Sequence, residues 1–192
     1  ENLSDVDVEW PAPTVFREKN LTTIGYRDQV LLPLMITTPD KGAPVMLKTT
    51  IDMGVCLDIC VPATLHIQGL IDTDATRSVP AIAASLAQRP YSAKEAGVTK
   101  ATCAMTVKDG DVQLEASLTL PDAGGQEVVV IESGNPDIWV SEADTSRQGN
   151  ILKAKVDMAH VGGATVAISR AAVRIPVLGS KHSVDLLGRT SD

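Results

Sequence analysis

Aromatic residues are scarce in this chain: two Trp, two Tyr and one Phe among 192 residues, or 3%. Any core must therefore be aliphatic, since the rings that fill many interiors are nearly missing. Long apolar runs are missing too. No uncharged stretch approaches the ~18 residues of a helical membrane span, and no basic region followed by an apolar one opens the N-terminus. The expectation is a soluble piece. Cationic excess is absent: 17 Lys and Arg stand against 24 Asp and Glu, for a formal net charge of −7. Phosphate-backbone recognition needs a basic stripe, so nucleic acid is not an expected partner. There is no Gly-x-Ser-x-Gly and no phosphate loop. His66, His160 and His182 stand apart from any hydrolase-like arrangement, which sets hydrolase and nucleotide chemistry aside. Because Glu1 is not a methionine, the sequence reads as a processed form or a fragment whose beginning has been removed.

What is present is a globular composition, 44% hydrophobic and 21% charged, long enough for one large domain or two small ones. Apolar residues alternate with a period of two in short segments rich in Val, Ile, Leu and Thr, which is strand patterning. Expected strands are 6–10, 21–26, 30–37, 45–53 and 59–71, then 102–108, 111–120, 126–132, 138–141, 150–157, 165–176 and 182–187. Pairing of the first-half strands should be antiparallel. Pro39-Asp40-Lys41-Gly42 is a turn, since Pro presets φ and Gly accepts positive φ, and Lys108-Asp109-Gly110-Asp111 fits a hairpin. Residues 78–88 depart from this pattern, with Ile82 and Leu86 at helical spacing among alanines, and Arg89-Pro90 stops the helix. The expectation is an all-β fold of two immunoglobulin-like β-sandwich domains, 1–92 and 93–192, joined by a short helical connector. The first has about five strands, fewer than a complete sandwich.

The chemistry lies in the three cysteines, Cys56, Cys60 and Cys103. Residues four apart on an uninterrupted strand stand roughly 13 Å apart, whereas a disulfide wants Cα atoms about 4.4–6.8 Å apart. A turn or bulge must fold Cys56 and Cys60 together, and Gly54 and Pro62 are suitable punctuation for it. So short a loop constrains the unfolded chain weakly, which favours redox use over a structural staple. A structural bridge and a metal site stay open. Cys56, Cys60 and His66 supply three ligands where a closed zinc site wants four. Met35, Met46 and Met53 add thioethers suited to Cu(I), although methionines on strands are more often core filler. Cys103, among apolar neighbours, reads as a small buried hydrophobe. Asp58 lies between the pair, where a close carboxylate would raise a thiol pKa and a solvated one would do little.

Four strings, Trp10-Pro11-Ala12-Pro13, Ile24-Gly25-Tyr26, Val30-Leu31-Leu32-Pro33-Leu34 and Val55-Cys56-Leu57-Asp58-Ile59-Cys60-Val61-Pro62-Ala63, resemble the N-terminal periplasmic domain of DsbD-type thiol:disulfide interchange proteins, including ScsB-type reductases. The likeness spans residues 1 to about 70 and weakens to strand layout beyond. It implies a periplasmic redox domain without a bound cofactor, working within a protein-disulfide reductase system. Such a domain takes electrons from a membrane-embedded donor or a thioredoxin-like module. It passes them to oxidised periplasmic proteins, among which cytochrome maturation proteins, disulfide isomerases and metal-stress proteins are candidates. Cys56 and Cys60 would be the redox pair, with Cys60 forming mixed disulfides and Cys56 resolving them. Family members shield the disulfide with a mobile loop, which makes Trp10, Phe16 and Tyr26 candidates for that cover; packing in a core is the alternative. The chain departs from the family in spacing its cysteines more closely than enteric members, in beginning inside the family's first domain, and in lacking a membrane portion and a thioredoxin Cys-x-x-Cys. The second domain would be a spacer or a docking unit.

Overall fold

The computed structural model describes residues 2–18, 21–57, 59–71, 76–108, 111–169 and 171–188. In chain order the first strands are β1 (Asp5–Val8), β2 (Thr14–Glu18), β3 (Leu21–Gly25), β4 (Leu34–Thr37), β5 (Val45–Cys56) and β6 (Cys60–Ile71), followed by helix α1 (Pro80–Leu86). After it come β7 (Tyr91–Ser92), β8 (Lys100–Lys108), β9 (Asp111–Thr119), β10 (Val128–Val129), β11 (Ile138–Val140), β12 (Asp144–Gln148), β13 (Ile151–His160), β14 (Arg174–Leu178) and β15 (Ser183–Leu187). The fold is all-β, as the alternating pattern requires. The chain falls into two compact units, residues 1–10 with 31–87, and residues 11–30 with 88–192. The expected boundary at 92/93 follows the sequence; in space, segment 11–30 groups with the second unit.

The first unit holds two antiparallel ribbons, β1 with β4 and β5 with β6. The turn before β5 closes as Pro39-Asp40-Lys41-Gly42 predicts, with Gly42 at φ 83°. The Asn2 side chain fastens it by donating to the carbonyls of Asp40 and Ala43 at 3.0 and 2.8 Å and accepting the Asp40 N–H at 3.0 Å. Val45 and Pro33 are buried. Helix α1 starts on Pro80, whose fixed φ and missing N–H suit a first turn. It is tied down by Ser85, whose hydroxyl donates to the Leu31 carbonyl at 2.6 Å.

The second unit is a sandwich. One sheet runs β10-β14-β15-β7, the other β11-β13-β9-β8 with β12 also on β13. β13 shows why: Leu152, Ala154, Val156 and Met158 are buried while Ile151, Lys153, Lys155 and Asp157 are exposed, the two-residue period of a half-buried strand. Their inner faces meet Leu114, Leu118, Ile175, Val177, Val184 and Leu186 from both sheets in one aliphatic core. A buried ion pair closes one end. The Arg147 guanidinium donates to Glu127 at 2.6 Å and to the Leu120 and Gly149 carbonyls at 3.1 Å, while Glu127 also accepts the Ala123 N–H at 2.9 Å.

Several elements differ from the expectation. β2, β7 and β12 were not foreseen, because Thr14–Glu18 and Asp144–Gln148 carry polar residues that mask alternation and β7 is two residues long. β7 pairs parallel to β15. The stretch expected as a strand over 165–176 is extended only from Arg174; residues 165–169, 171 and 172 form no strand. Asp109 and Gly110 lie outside the described residues, but pairing of Lys108 with Asp111 is the register of a two-residue hairpin.

Candidate functional site

The β5–β6 ribbon is built from a sequence whose two faces differ. Odd positions of β5 and their partners set Leu47, Thr49, Ile51, Met53 and Val55 beside Ile67, Leu65, Ala63 and Val61. From Lys48 onward the even positions pair Lys48 with Gln68, Thr50 with His66, Asp52 with Thr64, Gly54 with Pro62 and finally Cys56 with Cys60, after an apolar Met46–Leu70 pair at the far end. Alternation of side chains across a strand therefore places the cysteines on the polar face. Two rungs of that face are cross-linked: the Thr64 hydroxyl donates to Asp52 at 2.6 Å, and Thr50 Oγ1 lies 3.2 Å from His66 Nδ1.

The cysteines form the last rung. Cys56 and Cys60 are joined by a disulfide with their Cα atoms 4.0 Å apart, so the strand reverses between them, as the separation of four demands. The Leu57 N–H donates to the Ile59 carbonyl at 3.2 Å, tightening the reversal. Gly54 and Pro62, expected to bracket the turn, instead form a paired rung within the ribbon, and the ladder runs on to the cysteines. Pro62 is tolerated because, among the described residues, β6 pairs only with β5 and its second edge needs no ladder bond. Both cysteines are exposed. Among bonds within the ribbon this is the one that a soluble thiol can reach and exchange.

The remaining expected residues are dispersed. Asp58 lies outside the described residues. Trp10 is exposed. Phe16 is half-buried with the Arg27 guanidinium 4.8 Å from its ring centre, and the Tyr26 hydroxyl donates to the Pro11 carbonyl at 2.7 Å. Burial pushes the Tyr26 hydroxyl pKa up, with Arg174 pulling it partly back. His66 stands opposite Thr50, about 20 Å along the strand from Cys56 at ~3.3 Å per residue. Met53 points to the other face. The donor set Cys56, Cys60, His66 and Met53 is therefore not assembled, and among the described residues no cluster of three His, Cys, Asp or Glu could hold a metal ion. The other histidines have local partners: His160 Nδ1 accepts the Gly162 N–H at 3.0 Å, and the His182 ring stacks on Tyr91 at 5.0 Å. Cys103 packs, partly buried, against the second unit's core.

A surface disulfide closing so short a loop is the kind of site found in thiol–disulfide exchange modules. Residues 1–71, which include the cysteine pair, match the family described as thiol:disulfide interchange protein DsbD, N-terminal, in agreement with the resemblance read from the strings. No curated protein matches the chain. Among solved structures, the crystal structure of the N-terminal periplasmic domain of ScsB from Proteus mirabilis is similar, with a TM-score of 0.64 at 15% identity, over 99% of this chain and 74% of that one. That likeness is one of fold.

Proposed function

We propose that the chain is a periplasmic thiol–disulfide exchange relay. In this reading Cys56 and Cys60 take two electrons from a membrane-embedded reductase or a thioredoxin-like module and deliver them to oxidised periplasmic proteins. The observation that carries the reading is the exposed Cys56–Cys60 disulfide on the last rung of the β5–β6 ribbon, within the segment matched by the family. In the forward step the Cys60 thiolate attacks a substrate disulfide, one substrate sulfur leaves as thiolate, and a mixed disulfide forms. Cys56 then attacks Cys60, releasing the second substrate thiolate and restoring the bond seen here. Residues 1–92 serve as the redox domain and 93–192 as spacer or docking unit.

The test is the redox equilibrium of the full chain in defined thiol buffers, with alkylated cysteines counted by mass, with and without Cu(I). A two-electron couple within about −180 to −270 mV is the expected result. A bond that resists reduction below about −300 mV, or a reduced pair that captures one Cu(I) tightly, replaces the relay with the structural or metal reading.

A further inference from the structure

The two described residues of the turn that carries the disulfide are aliphatic and bare. Leu57 is 95% exposed and Ile59 74%, and behind them Val55 and Val61, facing away from the cysteines, are 57% and 53% exposed. Burial does not account for these positions, since an exposed leucine or isoleucine forgoes the transfer energy that stabilises it elsewhere. Covalent chemistry limits what can cover these side chains. A partner joined to Cys60 has its own cysteine Cα within about 7 Å of the Cys60 Cα, while the Cα atoms of Ile59 and Val61 are about 3.8 Å from it. Leu57 is drawn to the same spot by its hydrogen bond to Ile59. Any protein that forms the mixed disulfide must therefore lie against this tip.

We propose that Leu57 and Ile59 are the specificity-determining contacts of the exchange site. They dock into an apolar recess that borders the reactive cysteine of a partner protein, and they disfavour partners whose cysteine is ringed by polar groups, which the two aliphatic side chains would strip of water. The inference rests on the relay reading. The step it governs is balanced: a partner thiolate attacks Cys60 Sγ, the Cys56–Cys60 bond breaks, and the electron pair leaves on Cys56 Sγ. A second partner thiolate then attacks the partner's own sulfur, releasing Cys60. The partner is oxidised to a disulfide, and the pair is reduced by two electrons and takes its protons from water. Leu57 and Ile59 touch none of the reacting atoms and are positioning residues.

The experiment compares rate constants for reduction of the full oxidised chain by reduced thioredoxin, a folded protein dithiol, and by dithiothreitol, which is too small to cover the tip. In the variant carrying Leu57→Ser and Ile59→Ser the ratio of the two rate constants should fall about ten-fold or more, with the dithiothreitol rate little changed. Leu57→Met with Ile59→Val keeps the apolar contact and should hold the ratio near that of the wild type. If the serine variant keeps the ratio within about three-fold, or if dithiothreitol reduces the wild-type pair and thioredoxin does not, the docking role is overturned while the relay stands. If neither reagent reduces the wild-type pair, the relay itself falls.

Discussion

At the scale of single residues, the two cysteines face each other on one rung of the ladder and both are exposed, so burial does not separate their roles. The proposed order therefore has to be read from trapping. Cys56→Ser should accumulate a mixed disulfide on Cys60, visible as a mass adduct on a non-reducing gel, and Cys60→Ser should accumulate none; the opposite pattern reverses the order. Tyr26 gives a second prediction. Its pKa is raised above the ordinary 10.0 by burial, so the folded state holds that proton more tightly than the unfolded chain. The resulting stability is full below pH about 10 and is lost as pH rises through the folded value. Urea melts at pH 9 and 11 should show a decline in midpoint that is smaller in Tyr26→Phe. Glu127 is a third case. Its side chain is 3% exposed and paired with Arg147, and Glu127→Ala leaves that guanidinium without its counter-charge. A loss of about 3 kcal/mol is expected, measured by urea denaturation, with the exchange equilibrium of the cysteine pair unchanged.

At the scale of elements, the reversal at Cys56–Cys60 closes a loop of only a few residues. By chain-entropy arithmetic a bridge of this length contributes about 2 kcal/mol. Reduction should thus shift the unfolding midpoint modestly and leave far-ultraviolet circular dichroism nearly intact; collapse of the spectrum on reduction would make the bridge structural. The same ribbon marks how far sequence reading reaches. The strands on either side of the turn were legible because Val, Ile, Thr and Leu alternate, and the need for a reversal followed from strand rise alone. Gly54 and Pro62 sit within the ladder and do not bracket the turn, because glycine and proline carry the same turn signal whether they end a ladder or lie inside a two-stranded one. β12 escaped because Asp-Thr-Ser-Arg-Gln has no apolar face; it is held by Arg147 and by pairing with β13. The exposure of Leu57 and Ile59 had no signal at all, since an apolar residue in a short turn reads like one in a core.

At the scale of the whole chain, a composition with few rings foretold the aliphatic interior of the second unit, where Leu118, Val177 and Val184 are fully enclosed. Leu118→Ala should cost 2–5 kcal/mol through lost transfer energy and the remaining void, read from the shift in urea midpoint at constant slope.

The connectivity of the two units has a practical consequence. Because one comprises 1–10 and 31–87 and the other 11–30 and 88–192, the backbone passes between them three times, near residues 10, 30 and 87. No single protease nick or truncation liberates either one whole. A fragment starting at residue 88 would lack the β2–β3 hairpin, and one ending there would carry that hairpin as a loose insert. Producing the unit that carries the cysteine pair by itself calls for excising 11–30 and bridging residues 10 and 31 with a linker, and a recombinational exchange of either unit between proteins would have to move two pieces of coding sequence at once.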